Sequence, residues 1–356
     1  MRRAPRRGDD GRVSTSSVAP APVPPPGLAT AVPAPRRTPE VPGTYAYHRL
    51  QRTRPGTRWW RPLLVGLVAL ALYVALHVVG IAVAVATAVA NGPDGWDALN
   101  DLDVTDFSDP LTFVVAMLSI IALLPAVLVA TRLLGARPVG LLASVAGRVR
   151  WTWAARCLAL AAGLALVVQT GDAVVAAASG RAWQPQVDGT SWLLIGLALL
   201  LVPAQCVAEE VVFRGYLLQT VGTWLRHPAF AIVLPVPLFV LGHEYVNLAM
   251  VDIAVWALAM GWLTWRTGGL EAASAAHVVN NLVVFSLGAV GLADLDLVDV
   301  GPVALTVSTA SNLAFVGLVE VLARRTGITR ERHVAAPGAV PTPGPTSSPA
   351  SAQGEI

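Results

Sequence analysis

The second half of the chain places charged and histidine side chains inside apolar segments that are predicted to be helices. A charge in the hydrocarbon layer of a membrane costs about 2.5–3.5 kcal/mol on insertion scales, so each such side chain is a candidate functional residue. Between residues 191 and 290 these side chains are Glu209, Glu210, Arg214, His243, Glu244, Asp252, Glu271 and His277. This concentration is the strongest functional signal in the sequence.

The first group of these residues is the run from Glu209 to Arg214. Successive residues of an α-helix differ by about 100° in direction, so Glu209 and Glu210 cannot face the same way. Arg214 follows Glu210 by four residues, the favourable spacing for an ion pair on one helix face. This pairing leaves Glu209 without a partner on its own helix, and an unpaired carboxylate in an apolar site is suited to proton transfer.

His243 allows two interpretations. A lone histidine in a membrane helix often makes a structural hydrogen bond to a neighbouring helix. The string His243-Glu244-Tyr245-Val246-Asn247 comes close to the H-E-x-x-H motif of zinc proteases, but asparagine replaces the second histidine, so the motif is incomplete.

His277 and Asn281 are four residues apart and share one face of a predicted helix. Both can donate hydrogen bonds, which suits an oxyanion that develops when water attacks a carbonyl group. Polar packing between membrane helices would explain either residue alone. Together with Glu209 and His243, they supply a base, its partner and an oxyanion hole, which is the set that carbonyl hydrolysis needs.

The composition identifies the surroundings of these residues as a membrane. The chain has 356 residues, of which 54% are hydrophobic and 13% are charged, and its mean hydropathy is +0.60. Soluble domains carry roughly 25% charged residues, so an ordinary soluble globule is excluded. Cys157 and Cys206 lie in apolar runs and are predicted to be buried thiols rather than a disulfide scaffold. We expect no nucleic-acid partner.

Eight apolar segments are candidates for crossing the bilayer, which requires about 20 helical residues. They cover approximately residues 62–90, 111–131, 153–179, 191–221, 229–243, 248–265, 270–290 and 302–323. The fifth is short and contains Pro235 and Pro237. The predicted fold is therefore all-α, a polytopic membrane bundle of about eight transmembrane helices. Straight helices would separate Glu209, His243 and His277 in depth, so we expect tilted or broken helices near these prolines.

The charges of the short loops predict the orientation of the bundle. With the N-terminus inside, the inner loops carry arginines, whereas the outer loops carry aspartates and Arg181 alone among the arginines. This asymmetry follows the positive-inside rule and places both termini in the cytoplasm.

Composition also suggests three regions. Residues 1–58 are predicted to be a disordered cytoplasmic tail rich in proline and arginine, since such a segment cannot bury enough apolar area to offset its ordering entropy. Residues 59–330 form the membrane domain. Residues 331–356 are predicted to be a second disordered tail.

The order E-E-x-x-x-R, F-x-x-x-H and H-x-x-x-N on consecutive membrane helices resembles the CPBP family. This is the group of type II CAAX prenyl proteases and bacteriocin-processing or bacteriocin-immunity (Abi) proteins. The resemblance covers residues 191–290. The matching residues are Glu209, Glu210, Arg214, Gly215, Phe239, His243, His277 and Asn281.

The resemblance implies an intramembrane endopeptidase of a bacterial plasma membrane, acting on a membrane-associated protein or peptide. It implies that Glu209 activates water with His243 as its partner, that His277 and Asn281 stabilise the oxyanion, and that Glu210 and Arg214 support the site. Members of the family have been described both as metalloproteases and as glutamic proteases. Glu209, His243 and His277 could supply three zinc ligands, but no ligand spacing demands zinc. We therefore expect chemistry without a metal or other cofactor.

A second class of function remains open from the sequence. A non-catalytic membrane protein of the same fold could use the polar residues for binding, as an immunity factor or a transport module. Asp172 and Glu320, which lie in the third and eighth predicted spans, are the residues that a charged transport pathway would use.

Overall fold

The computed structural model describes residues 40–103, 106–136, 138–180, 184–243, 245–295 and 299–336. Glu244 and Arg181 lie outside these residues. The described chain forms twelve α-helices, namely α1 (Arg61–Asn91), α2 (Pro93–Asn100), α3 (Pro110–Ile121), α4 (Leu123–Leu134), α5 (Trp151–Ala178), α6 (Gly189–Glu210), α7 (Leu218–Trp224), α8 (Pro228–Val233), α9 (Val236–Leu241), α10 (Asn247–Thr267), α11 (Glu271–Ala289) and α12 (Pro302–Thr326). Its other elements are two strands, β1 (Gly43–Ala46) and β2 (Glu331–Val334), two 3-10 helices, Tyr47–Thr53 and Val139–Leu142, and a π-helix, Val211–Leu217.

The helices confirm the predicted all-α, polytopic membrane fold. Among the described residues, seven helical stretches are long and apolar enough to cross a membrane: Arg61–Asn91, Pro110–Leu134, Trp151–Ala178, Gly189–Trp224, Asn247–Thr267, Glu271–Ala289 and Pro302–Thr326. The fifth predicted span is shorter, over Pro228–Leu241, and is broken into α8 and α9. The break lies at Pro235, and Pro237 occupies the first turn of α9, where its missing N–H removes no helical hydrogen bond.

Two aspartates fix the beginnings of the helices that enter from the aspartate-rich end. Asp188 accepts a hydrogen bond from the backbone N–H of Ser191 at 2.8 Å and caps α6. That hydrogen bond lowers the pKa of Asp188. Asp299 accepts hydrogen bonds from the side chain of Asn247 and the N–H of Leu248, both at 3.1 Å, so it ties the start of α10 to the segment before α12. The hydrogen bond from Asn247 lowers the pKa of Asp299.

The arginine-bearing loops meet at the opposite end of the bundle. Arg150 donates to the carbonyl groups of Thr267 and Thr329, both at 2.9 Å. Arg332 donates to the carbonyl of Val145 at 3.1 Å. The segments that the charge pattern assigned to one side of the membrane therefore contact one another.

Part of each predicted disordered tail is ordered, so the prediction is wrong for residues 40–58 and for β2. Strand β1 pairs antiparallel with β2, from Gly43 opposite Val334 to Ala46 opposite Glu331. The 3-10 helix that follows β1 buries Tyr47 and Leu50 completely. Residues 1–39 and 337–356 of the two tails lie outside the described residues.

Arginines explain why this N-terminal segment is held in place. The last carbonyl groups of a helix have no partner within the helix and attract positive charge. Arg49 donates to the carbonyl of Gly222 at 2.6 Å, and Arg52 donates to that of Thr223 at 2.6 and 2.9 Å. Both acceptors lie in the last turn of α7. The same arginines that suggested disorder by composition therefore satisfy the end of a helix.

A buried ion pair holds the beginning of α11 against the beginning of α5. The guanidinium of Arg150 donates to both carboxylate oxygens of Glu271, at 2.8 and 2.6 Å, and the backbone N–H of Arg150 donates to one of them at 2.9 Å. The Glu271 side chain is 3% exposed. Glu271 lies in the first turn of α11, where the helix dipole favours a negative charge. These contacts give Glu271 a structural role.

We predict that Glu271→Ala lowers the free energy of unfolding by about 3–5 kcal/mol, because it leaves the charge of Arg150 buried without its partner. Arg324→Ala, which removes a 71% exposed partner of Glu320, should cost about 1 kcal/mol or less. Denaturant unfolding of the detergent-solubilised protein measures both values. Equal losses in the two variants would contradict the structural role of the Arg150–Glu271 pair.

Candidate functional site

The two adjacent glutamates end α6, and a π-helix follows them directly. The π-helix covers Val211–Leu217 and contains Arg214, and α7 then continues the same helical stretch. π-Helical turns are rare and occur frequently at functional sites. No pattern in the sequence predicted this turn.

The predicted ion pair between Glu210 and Arg214 is confirmed. Nη1 of Arg214 lies 3.0 Å from Oε1 of Glu210, and both side chains are buried. The guanidinium of Arg214 also lies 4.2 Å from the ring centre of Phe239 and 4.8 Å from that of Trp256. These distances are within the range of cation–π attraction. Arg214 is therefore held by one carboxylate and two aromatic rings.

His277 of α11 lies between the two glutamates. Its Nδ1 is 2.9 Å from Oε1 of Glu210, and its Nε2 is 3.4 Å from Oε2 of Glu209. A carboxylate accepts hydrogen bonds, so Nδ1 carries the proton that faces Glu210. Oε2 of Glu209 is buried and makes no hydrogen bond to any of the described residues. Glu209 therefore keeps an oxygen available for a further ligand.

His243 follows the end of α9 and is linked to the cluster through aromatic rings. Its Nδ1 donates to the carbonyl of Phe239 at 2.8 Å, so Nε2 of the neutral ring is an acceptor. Its ring lies 4.7 Å from that of Phe239, which stacks on Trp256 at 5.5 Å. Trp256 in turn meets His277 edge-on at 4.7 Å. Across the part of the chain that the structure describes, no hydrogen bond joins His243 to Glu209.

Asn281 lies one turn beyond His277 on α11 and contacts α6. Its Nδ2 donates to Oε1 of Gln205 at 3.3 Å, and its Oδ1 accepts from the side chain of Asn280 at 3.2 Å. Gln205 is buried one turn before Glu209. Sequence reasoning missed Gln205 and Trp256. Four-residue spacing to Glu209 within an apolar run was the signal for Gln205, whereas the sequence carries no comparable signal for Trp256.

The structure thus brings some candidates into contact and leaves others apart. Glu209, Glu210, Arg214 and His277 form one contiguous polar cluster, with His243 and Asn281 on its flanks. Asp252 of α10 makes no hydrogen bond or ion pair to this cluster among the described residues, and its buried Oδ1 has no hydrogen-bond partner there.

Glu209, His243 and His277 are the residues that could supply zinc ligands. Nδ1 of His277 faces Glu210, its Nε2 faces Glu209, and Nδ1 of His243 faces the carbonyl of Phe239. Among the described residues, no three histidine, cysteine, aspartate or glutamate side chains are grouped so that they could bind a metal ion. Three or four such ligands in tetrahedral geometry are what zinc requires.

Comparisons with known proteins agree with the position of this cluster. A family model described as type II CAAX prenyl endopeptidase, Rce1-like, matches residues 190–283, which include all six candidate site residues. The uncharacterized protein YyaK of Bacillus subtilis (strain 168) is 30% identical over 232 residues, which cover 63% of this chain and 76% of YyaK. The chain belongs to the Rce1-like family of type II CAAX prenyl endopeptidases. The resemblance to CPBP proteins is thereby confirmed.

As a member of this family, the Rce1-like chain is a multi-pass membrane protein that belongs to a class of proteases. No solved structure matches the chain. The geometry of its polar cluster therefore rests on the contacts described above.

We predict that substitutions of the two adjacent glutamates affect stability by very different amounts. Glu210→Gln removes the charge that neutralises buried Arg214 and should lower the free energy of unfolding by about 3–5 kcal/mol. Glu209→Gln should leave it within about 1 kcal/mol, because Oε2 of Glu209 has no hydrogen bond to lose. Denaturant unfolding of the two detergent-solubilised variants checks this. Comparable losses would mean that Glu209 also has a structural role.

Proposed function

We propose that this protein is an intramembrane endopeptidase that hydrolyses a peptide bond of a membrane-associated protein or peptide. The observation that carries the proposal is that Glu209, unlike Glu210 and Glu320, has no arginine partner among the described residues, while its buried Oε2 makes no hydrogen bond there and lies 3.4 Å from Nε2 of His277. A buried carboxylate without an arginine partner in a membrane helix lowers the stability of the folded protein, so it is typical of a functional site.

In the proposed reaction Glu209 is the general base. It removes a proton from water while the water oxygen attacks the carbonyl carbon of the scissile bond. His243 presents Nε2 as an acceptor, because its Nδ1 proton is used by the carbonyl of Phe239. His243 can therefore accept a hydrogen bond from the same water and orient it.

The negative charge that develops on the substrate carbonyl oxygen requires donors. Asn281 uses one amide N–H for Gln205 and retains a second N–H. Nε2 of His277 is a donor in the imidazolium form, since Nδ1 already donates to Glu210. We assign these two groups to the oxyanion hole. When the tetrahedral intermediate collapses, the proton held by Glu209 passes to the leaving amine.

Glu210 and Arg214 support this reaction without taking part in it. Their ion pair and the rings of Phe239 and Trp256 hold His277 on one side and the π-helix on the other.

The contacts of Glu320 weaken the alternative of a transport pathway. Glu320 pairs with Arg266 and Arg324 at 2.6 and 2.7 Å, at the arginine-bearing end of the bundle.

We further propose that the protein lies in the bacterial plasma membrane with both termini in the cytoplasm. The contacts among the arginine-bearing loops support this orientation, because the positive-inside rule assigns that end to the cytoplasm.

Cleavage of a quenched fluorescent peptide, with a farnesylated cysteine followed by three residues, tests the proposal. Glu209→Gln should lower kcat by about 10²–10⁴-fold. His243→Ala should lower it by about 100-fold or more. Asn281→Ala removes one oxyanion donor and should cost about 10²–10³-fold. Full activity of Glu209→Gln would overturn the assignment of the base.

Glu320→Gln is the control for these variants. It removes the charge of another acid in a transmembrane helix whose contacts are to Arg266 and Arg324. Its kcat should therefore stay within about twofold of the unaltered protein, well short of the 10²-fold or larger loss expected for a missing general base.

The metal-free mechanism predicts that a zinc chelator leaves the rate of peptide cleavage unchanged. It also predicts less than one zinc ion per chain by elemental analysis of the purified protein. Loss of activity with the chelator, restored by added zinc, would overturn the metal-free mechanism and leave Glu209 as a ligand or base of a metalloprotease.

A further inference from the structure

Gln205 is a buried polar residue for which the proposed reaction has so far given no role. Its side chain is 4% exposed and lies in α6 among apolar neighbours. A buried amide needs its hydrogen bonds satisfied. Oε1 of Gln205 accepts from Nδ2 of Asn281 at 3.3 Å and from Sγ of Cys206 at 3.3 Å.

The contact between Gln205 and Asn281 repeats the contact between Glu209 and His277 one turn away. On α6, Gln205 precedes Glu209 by four residues, so both lie on one helix face. On α11, Asn281 follows His277 by four residues. Because α6 and α11 run in opposite directions, these spacings set two contacts side by side, Glu209 to His277 at 3.4 Å and Gln205 to Asn281 at 3.3 Å.

Two neighbours determine which way the amide of Asn281 faces. Oε1 of Gln205 accepts hydrogen bonds and so requires the NH₂ group of Asn281 on its side. The side-chain NH₂ of Asn280 donates to Oδ1 of Asn281 at 3.2 Å and so requires the oxygen on the other side. With both contacts present, the remaining N–H of Asn281 has one orientation. Asn281 is half-buried, so a substrate can reach this N–H.

We propose that Gln205 is a positioning residue that orients the amide of Asn281 so that its free N–H faces the oxyanion. The proposal rests on the oxyanion role of Asn281 in the proposed function. Without the acceptor, the amide of Asn281 can rotate and present its oxygen to the developing negative charge, which would oppose it. Gln205 itself does not contact the substrate.

A double-mutant cycle between Gln205→Met and Asn281→Ala tests this proposal with the farnesylated fluorescent peptide. Methionine keeps the length of the side chain and removes the acceptor. Alone, Gln205→Met should lower kcat by about tenfold to a hundredfold, the size expected for a misplaced catalytic group, with KM changed by less than about threefold. In the Asn281→Ala background it should lower kcat by less than about twofold, because no amide is left to orient.

Gln219→Met is the matched control. Gln219 is fully buried in α7, a continuation of the same helical stretch, and donates to the carbonyl of Leu141 at 2.8 Å. Its side-chain hydrogen bonds among the described residues are to Gln51 and Leu141, and none is to the polar cluster. Its substitution should reduce the denaturant midpoint and leave kcat of the folded protein unchanged in both backgrounds. A merely structural role of Gln205 would give the same pattern as this control.

Three outcomes would overturn the proposal. Unchanged kcat in Gln205→Met would refute it while leaving the proposed function intact, provided that Asn281→Ala is impaired. Equal losses in the two backgrounds would show that Gln205 acts independently of Asn281. Failure of the unaltered protein to cleave any substrate would refute the proposed function and this proposal with it.

If Gln205→Met does not fold, Gln205→Leu replaces it in the cycle. Leucine also removes the acceptor and brings no charge into the buried site. The expected losses are the same as for Gln205→Met in both backgrounds, and unchanged kcat of Gln205→Leu alone would refute the proposal.

Discussion

Glu210 is fully buried, and its Oε1 lies 3.0 Å from Nη1 of Arg214 and 2.9 Å from Nδ1 of His277. A carboxylate at this depth needs both partners, because an isolated buried charge costs several kcal/mol. The contacts of Glu210 with Arg214 and His277 therefore hold the end of α6, the π-helix and α11 together at one point. The position of His277 follows from this contact, and the proximity of His277 to Glu209 follows in turn. The polar cluster therefore depends on a residue that does no chemistry itself.

The same constraint explains why Glu209 stands out. Glu210, the next residue, pairs with Arg214. Arg214 lies in the π-helix and packs against Phe239 and Trp256 rather than beside Glu209. Oε2 of Glu209 and Oε2 of Glu210 are both buried without a hydrogen bond among the described residues, but of the two only Glu210 has an arginine partner there. In the proposed function this difference is the source of reactivity, since a carboxylate that is not neutralised by an arginine can take a proton from water.

Local patterns predicted much of this arrangement, and long-range packing decided the rest. Four-residue spacing predicted the Glu210–Arg214 pair, and Pro235 with Pro237 predicted the broken fifth span, because both depend on residues close in sequence. The contact of His277 with Glu210 and that of Asn281 with Gln205 both join α6 to α11, and the paired residues are 67 and 76 positions apart in the sequence. No local rule predicts them. Composition failed for residues 40–58, where arginines that suggested disorder bind the carbonyl groups that end α7.

In the proposed function, this buried cluster hydrolyses peptide bonds of membrane-associated substrates. The most direct measurement is mass spectrometry of peptides after the purified protein has been incubated, in ¹⁸O-labelled water, with membranes from cells that lack its gene. Hydrolysis incorporates one labelled oxygen at each newly formed carboxyl terminus. The proposed function predicts at least one labelled terminus with the unaltered protein and none with Glu209→Gln. The absence of any labelled terminus with the unaltered protein, or equal labelling with both proteins, would contradict it.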